Sequence, residues 1–326
     1  MSYYIDFKNE VIILLQVFPD YYPSFSCVGS ACRHNCCIGW EIDIDEDTLS
    51  FYRSLSGPLG QRLKQHITSE DTPHFVLNHD DRCPFLNESN LCDLILSLGE
   101  DHLCQICRDH PRFRNNLPGR TETGIGLCCE AAGKLILGKS EPVKLCISGQ
   151  DTEEDEIIAL RDEVILLLQD RNYPIPERIT AALCLCGTTL PTQDMTKWAR
   201  YLLSLERLED EWTHLLRLLE NNWVNADYAG FDLHMKDRQT EYEQFAVYLV
   251  YRHLANAADG IDLAARAAFA ALCFKILYTL GAILWTQNGS FTFDDQVQLA
   301  RRFSAELEYS EDNLNALFDA LTPFGT

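Results

Sequence analysis

The sequence predicts a mainly α protein with two parts: a small α+β, cysteine-rich N-terminal domain over 1–150 and a C-terminal helical bundle over 151–326. Three observations carry this. Ten of the 14 cysteines fall between Cys27 and Cys129. Up to about residue 150, turn residues and short patterns dominate. Beyond Gln150, apolar residues recur at helical spacing, with charges on the opposite face and no strand signal or fixed-period repeat.

Within the first part, GWEIDID alternates, placing Trp40, Ile42 and Ile44 on one face and Glu41, Asp43 and Asp45 on the other, as in a half-buried strand. A short helix is expected from Asp47 to Leu55, capped by Asp47 or Thr48. HFVLN (74–78) and CPFL (83–86) read as strands, with NESN (87–90) as a turn. Short helices are expected over 91–98 and 100–108, parted at Gly99, and another over 126–137. In the second part, EEDEIIALRDEVILLLQD is amphipathic and ends before Tyr173-Pro174-Ile175-Pro176. Further helices are expected near 177–186, 193–208, 210–221, 238–257, 262–286, 294–308 and 311–321. The helix over 262–286 is apolar nearly all round and is expected at the centre of the bundle, which is read as presenting a substrate.

Composition excludes several functions. The chain has 326 residues, 27 Lys+Arg and 49 Asp+Glu, a formal charge of −22. Such acidity repels phosphate backbones and anionic bilayers, so neither a nucleic acid nor a membrane is expected as partner. The apolar run Val11–Phe18 follows acidic residues and precedes no small-residue cleavage site, unlike a secretory signal. The longest apolar stretch, Leu263–Gln287, contains Arg266 and Lys275. A reducing cytoplasm is therefore expected, where clustered cysteines hold metal more often than they pair.

The clustered cysteines are Cys27-x4-Cys32-x3-Cys36-Cys37, Cys83-x8-Cys92, Cys104-x2-Cys107 and Cys128-Cys129. Cys32 and Cys36 share a face if the segment between them turns helically. Adjacent Cys36 and Cys37 point apart, which disfavours two relaxed disulfides. All-thiolate coordination suits zinc or an iron–sulfur cluster, not magnesium or calcium. A zinc ribbon shows two CxxC knuckles, and here only Cys104 and Cys107 have that spacing, so a cluster or polynuclear site fits better. One segment stands out as basic, CRDHPRFRNNLPGR (107–120), with Arg108, Arg112, Arg114 and Arg120 against Asp109. These guanidinium groups could balance an anionic thiolate site or clamp the carboxylate of a small cofactor. Cys146, Cys184, Cys186 and Cys273 read as helix-packing residues. Trp40 reads as core in preference to a cofactor platform, and His34 and His110 as hydrogen-bonded or solvated. The acids from Glu41 to Asp47 read as a strand face and a first helical turn, with docking of a substrate lysine as the alternative. No dinucleotide, phosphate-loop, nucleophile-elbow or HExxH signature is present.

CVGSACRHNCCIGWEI, DDRCPFLNESNLCDLILSLGEDHL, CRDHPRFR and LCCEAAGKLIL, in that order over about 20–140, resemble the flagellin lysine-N-methylases, within a wider group of zinc- or iron-chelating cysteine-cluster proteins. The resemblance implies a protein-lysine N-methyltransferase acting on flagellin, with S-adenosylmethionine as methyl donor and an iron–sulfur cluster of the 4Fe-4S type as cofactor, zinc being the alternative metal. A non-catalytic chelating protein is the alternative function. By position, the metal ligands would be Cys27, Cys32, Cys36, Cys37, Cys83, Cys92, Cys107 and Cys128. Cys104 and Cys129 are additional to that pattern. Arg108, Arg112 and Arg114 would bind cofactor.

Overall fold

The computed structural model describes residues 6–7, 10–11, 15–68, 72–149, 155–189 and 192–322. Among the described residues the protein is mainly α, with 14 α-helices and a small sheet. Its contacts divide it into two compact units: Ser26–Phe113, and the chain on either side of that segment. The division expected near 150 falls on residues 150–154, outside the described ones. The cysteine-rich unit is instead an insertion whose ends lie at 26 and 113.

The reason lies in pairings between distant segments. A two-residue hairpin, β1 (Asp6–Phe7) and β2 (Glu10–Val11), precedes β3 (Leu15–Pro19). The four-stranded sheet has the order β4-β5-β3-β6, with β4 Arg112–Leu117, β5 Arg120–Ile125 and β6 Leu145–Ser148. β3 runs parallel to β5, with Val17 opposite Glu122, and antiparallel to β6, with Phe18 opposite Cys146. LQVFP alternates, so Leu15 and Val17 are buried. Pro118-Gly119 joins β4 to β5; Gly119 sits at φ 74°, the conformation required at the second central position of a type II turn. Glu122 points into the interior, where the Arg161 guanidinium grips both oxygens at 2.8 Å and Arg120 approaches to 2.7 Å.

Around this sheet lie α5 (Glu130–Leu137), α6 (Glu156–Leu168), α7 (Ile175–Leu185), α8 (Met195–Ser204), α9 (Asp210–Asn222), α10 (Tyr228–His234), α11 (Gln239–His253), α12 (Gly260–Asn288), α13 (Phe293–Phe303) and α14 (Glu311–Leu321). The helical expectations beyond 155 hold to within a few residues, with α10 added. The stretch 294–308 divides into α13 and a π-turn over Ser304–Glu308. Starts are marked by side-chain caps from Asp155, Asp194, Asp227, Asp259, Thr292 and Ser310. α12 packs against α7, α9, α10, α11, α13 and α14. It is long and apolar enough to cross a bilayer, yet 78% of its most apolar window is buried inside the protein, as befits a core helix.

The inserted unit has its own core of Ile42, Ile44, Leu49, Tyr52, Leu63, Phe75, Phe85, Leu86, Leu94 and Leu103. α1 (Glu46–Ser54) begins one residue before the expected span and is capped by Asp45. α2 (Gly57–His66) has no counterpart in the sequence reading. α3 (Asp93–Leu98) ends at Gly99, φ 89°, and α4 covers Gln105–Asp109. The strands expected at 39–45, 74–78 and 83–86 reduce to single-residue bridges, Asp43 with His74, Ile67 with Phe75 and Leu86 with Cys92. Leu86 and Cys92 close a turn between them, and Ile67 caps the end of α2.

Candidate functional site

The inserted unit gathers thiols onto its small core. Cys83 and Cys104 are buried within it, and Cys37, Cys92 and Cys107 pack against it. Three sequence segments deliver them. Cys83 N–H donates to the Cys37 carbonyl at 2.8 Å, tying the first cysteine motif to the second. Cys83 and Cys92 flank a turn built on Asn87, whose Oδ1 accepts the Ser89 and Leu91 N–H groups, with Asn90 at φ 55°. Cys104 and Cys107 bracket the first turn of α4.

α1 and α2 fasten the loops that carry these cysteines. From α1, the Asp45 cap also accepts Gln105 N–H at 2.8 Å, Tyr52 Oη donates to the His102 carbonyl at 2.9 Å, and Phe51 stacks on the His102 ring at 4.7 Å. From α2, Arg62 lies over the Phe85 ring at 5.0 Å, pairs with Asp93 at 2.6 Å and donates to the Pro84 carbonyl at 2.5 Å.

In two thiol pairs each thiol shifts its partner's titration. In Cys36–Cys37 the hydrogen bond from Cys37 draws the Cys36 thiol below its ordinary range. Cys37 is pushed up by that same bond, by burial and by the charges of Cys36, Cys83 and Cys92. In Cys104–Cys107 the bond from Cys107 lowers Cys104. Cys107 is raised by the bond, by burial and by Cys104, Cys37 and Cys83. Burial pushes Cys83 up to about 11 and also raises Cys92. Cys36, Cys37, Cys83, Cys92, Cys104 and Cys107 thus form one electrostatically connected set. A cation among them would reverse the balance and favour thiolates. Among the described residues, no group of three or more His, Cys, Asp or Glu side chains is arranged to hold a metal ion. The donors are gathered without being closed around a point. Their chemistry, soft sulfur on an apolar floor, fits zinc or an iron–sulfur group and not magnesium or calcium.

The sequence-predicted residues are distributed as follows. Cys37, Cys83, Cys92 and Cys107 come together on this core, and Cys104, set aside in the sequence, is among them and fully buried, while exposed Cys36 is linked to them through Cys37. Its CxxC spacing was the available signal. Cys27 and Cys32 lie in the preceding loop with local partners: Cys27 Sγ accepts Gly29 N–H at 3.4 Å, and Cys32 Sγ donates to the His34 carbonyl at 3.2 Å. Cys128 and Cys129 belong to the other unit. There Tyr309 Oη donates to Cys128, whose thiol is raised to about 12, chiefly by burial. A Cβ at Gly126 would come within 2.2 Å of that hydroxyl, so glycine is needed for this approach. Arg252 lies over the Tyr309 ring at 4.9 Å and donates to Tyr248 Oη at 2.6 Å. Buried Glu308 accepts from Tyr248 at 3.0 Å and lies 2.8 Å from His253 Nε2. This network, partly on the π-turn, had no signature in the sequence. Cys186 and Cys273 are buried packing residues, whereas Cys184 is exposed and Cys146 is on β6, correcting the helix-packing reading for those two.

Arg108 is exposed at the end of α4, and Arg112 Nη1 reaches the Arg108 carbonyl at 3.4 Å. Arg112 and Arg114 occupy alternate positions of β4 and so share a face. Arg120 is committed to Glu122. Trp40 is a correction: Ile42 and Ile44 are buried as expected, but Trp40 is 38% exposed, because its indole N–H is tied back to the preceding cysteine loop and not to the core. Its Nε1–H donates to the Cys36 carbonyl at 2.6 Å, and its ring lies 6.1 Å from that of His110, whose pKa burial lowers to about 4.

Comparison with known proteins bears on the helical part. Residues 190–322 match the FliB lysine N-methylase C-terminal domain. The chain resembles the lysine N-methylases. The matched segment spans α8–α14, separate from the cysteine motifs of 20–140 that pointed to the same family. The lysine-N-methylases of Salmonella typhimurium and Salmonella choleraesuis are each 28% identical over 134 residues, 39% of this chain and 33% of theirs. The flagellar biosynthetic protein FliU of Salmonella muenchen is 26% identical over 134 residues, 79% of its length. The match thus spans about a third of the two lysine-N-methylases. No solved structure matches significantly.

Proposed function

We propose that the protein is a protein-lysine N-methyltransferase acting on flagellin, with S-adenosylmethionine as methyl donor and a cysteine-held iron–sulfur cluster, working in the cytoplasm. The observation that carries this reading is the match of residues 190–322 to the FliB lysine N-methylase C-terminal domain. The thiol set of the inserted unit supports it. Cys36, Cys37, Cys83, Cys92, Cys104 and Cys107 would hold the cluster, with Asp45 and Arg62 keeping their loops in place. When bound, the cluster would supply an electron-transfer or Lewis-acidic iron site. Arg108, Arg112 and Arg114 would offset the charge of such a centre or hold the donor's carboxylate.

In the transfer, the methyl carbon leaves the sulfonium sulfur and bonds to the lysine nitrogen. S-adenosylhomocysteine and one proton are the other products. The chain's task is to hold a deprotonated amine in line with that methyl group. A charge of −22 favours approach of a lysine-bearing surface.

The test is iron, zinc and acid-labile sulfide per chain on protein purified without oxygen, followed by transfer of labelled methyl groups to flagellin. About four iron and four sulfide, with label on flagellin lysines, is the expected result. Stoichiometric zinc without sulfide, and no label transferred, would replace this reading with a non-catalytic chelating protein.

A further inference from the structure

Trp40 is placed as few tryptophans are. The residue type is usually largely buried, with its N–H satisfied inside. Here the N–H is held at the surface, by the Cys36 carbonyl at 2.6 Å, and 38% of the residue stays open to solvent. Holding the only polar atom on the backbone of the thiol pair fixes where the π surface points. That surface stands beside the pair Cys36–Cys37, on the lip of the donor set. The neighbouring ring is His110, at 6.1 Å and 47°, which is neutral at physiological pH and so does not repel a cation. Glu41 and Asp43, next along the chain, are exposed carboxylates. A fixed, exposed indole attracts cations through its ring quadrupole, and carboxylates on the other side of the same segment add to the local negative potential.

We propose that the Trp40 indole is a cation–π platform for the onium group of the methyl transfer. The shared chemistry is an alkyl-bearing cation, supplied either by the methylsulfonium of the donor or by the ammonium of the target lysine before it loses its proton. The proposal rests on the methyltransferase reading for the ligand's identity. It goes beyond that reading in assigning the platform to Trp40.

The experiment uses the full chain purified without oxygen, as wild type, Trp40→Leu and Trp40→Phe. Equilibrium dialysis compares S-adenosylmethionine with S-adenosylhomocysteine, which lacks the positive charge. A second arm compares a lysine peptide with its norleucine counterpart. If the sulfonium is the ligand, Trp40→Leu shrinks the first preference by about two- to thirty-fold and leaves the second intact. If the ammonium is the ligand, the second preference shrinks instead. Trp40→Phe, which keeps a ring, is expected between Leu and wild type and carries the test if Trp40→Leu loses its melting transition. Preservation of both preferences in Trp40→Leu overturns the proposal. So does equal weakening of both adenosyl ligands, which would mark adenine stacking, and so does a wild-type chain with neither preference. A Trp40-dependent preference in a chain lacking iron and sulfide would leave the platform standing while overturning the cluster.

Discussion

The bundle and the inserted unit solve the problem of cohesion differently. The bundle surrounds one 29-residue helix, α12, whose buried residues from Leu263 to Ile283 include seven alanines that let neighbouring helices approach closely. Its charges are buried as matched pairs, such as Glu122 with Arg161 and Glu243 with Arg178 at 2.7 Å. Among its described residues the inserted unit has α-helices of five to ten residues and no extended ladder, and it spends two buried core positions on cysteine. Side-chain-to-backbone clamps from Asp45, Tyr52 and Arg62 replace regular secondary structure. The contrast teaches that the first part is held by area and the second by a few polar contacts around donors whose own role is to bind.

The sharpest way to break the comparison is in the bundle. Arg161→Ala leaves Glu122 with Arg120 alone and should cost about 3 kcal/mol, lowering the main calorimetric transition regardless of metal. Leu277→Ala, at a fully buried position of α12, should cost about 2–5 kcal/mol in the same transition. If either left that transition unmoved and altered only the inserted unit, the assignment of cohesion would be reversed.

Smaller effects should be local to the insertion. Chelation of bound metal should speed amide exchange in residues 36–107 and leave α11 and α12 protected, as read by exchange mass spectrometry. Asp45→Ala removes a helix cap and the Gln105 contact; about 1–2 kcal/mol of local stability and faster metal release are expected. The smallest effect concerns pH. Burial opposes ionisation of Asp45 and Asp93, but hydrogen bonds from Gln105 and Thr48 in one case, and from Arg62 and Asn87 in the other, outweigh it and lower both pKa values. A lowered carboxylate stabilises above its unfolded pKa, near 3.9, and loses that contribution as pH falls through its folded value. Protection of the insertion's amides, relative to their intrinsic exchange rate, should therefore fall below about pH 4, and the Asp45→Asn variant should show less of this loss.

Periodicity by itself determined most of the helices, since apolar spacing, caps and the Gly99 stop are local signals that survive in any context. Clustering by itself pointed to one region for the ten cysteines of 27–129, of which Cys37, Cys83, Cys92, Cys104 and Cys107 share one core, and the motif order pointed to a family that the helical part then matched independently. Tertiary structure alone decided what depends on partners far along the chain. β3 became a central strand because β5 and β6 flank it, drawing 15–19 and 112–148 out of the cysteine-rich part. Cys104 joined the thiol set because α1 pins its turn, and Cys128 took Tyr309 as a partner because their approach needs the bare backbone of Gly126. Trp40 stayed exposed because its one polar atom is tied back to the Cys36 carbonyl and not to the core. Local sequence sets backbone preference and amphipathic phase; contacts between residues remote in sequence exist only once the chain has closed.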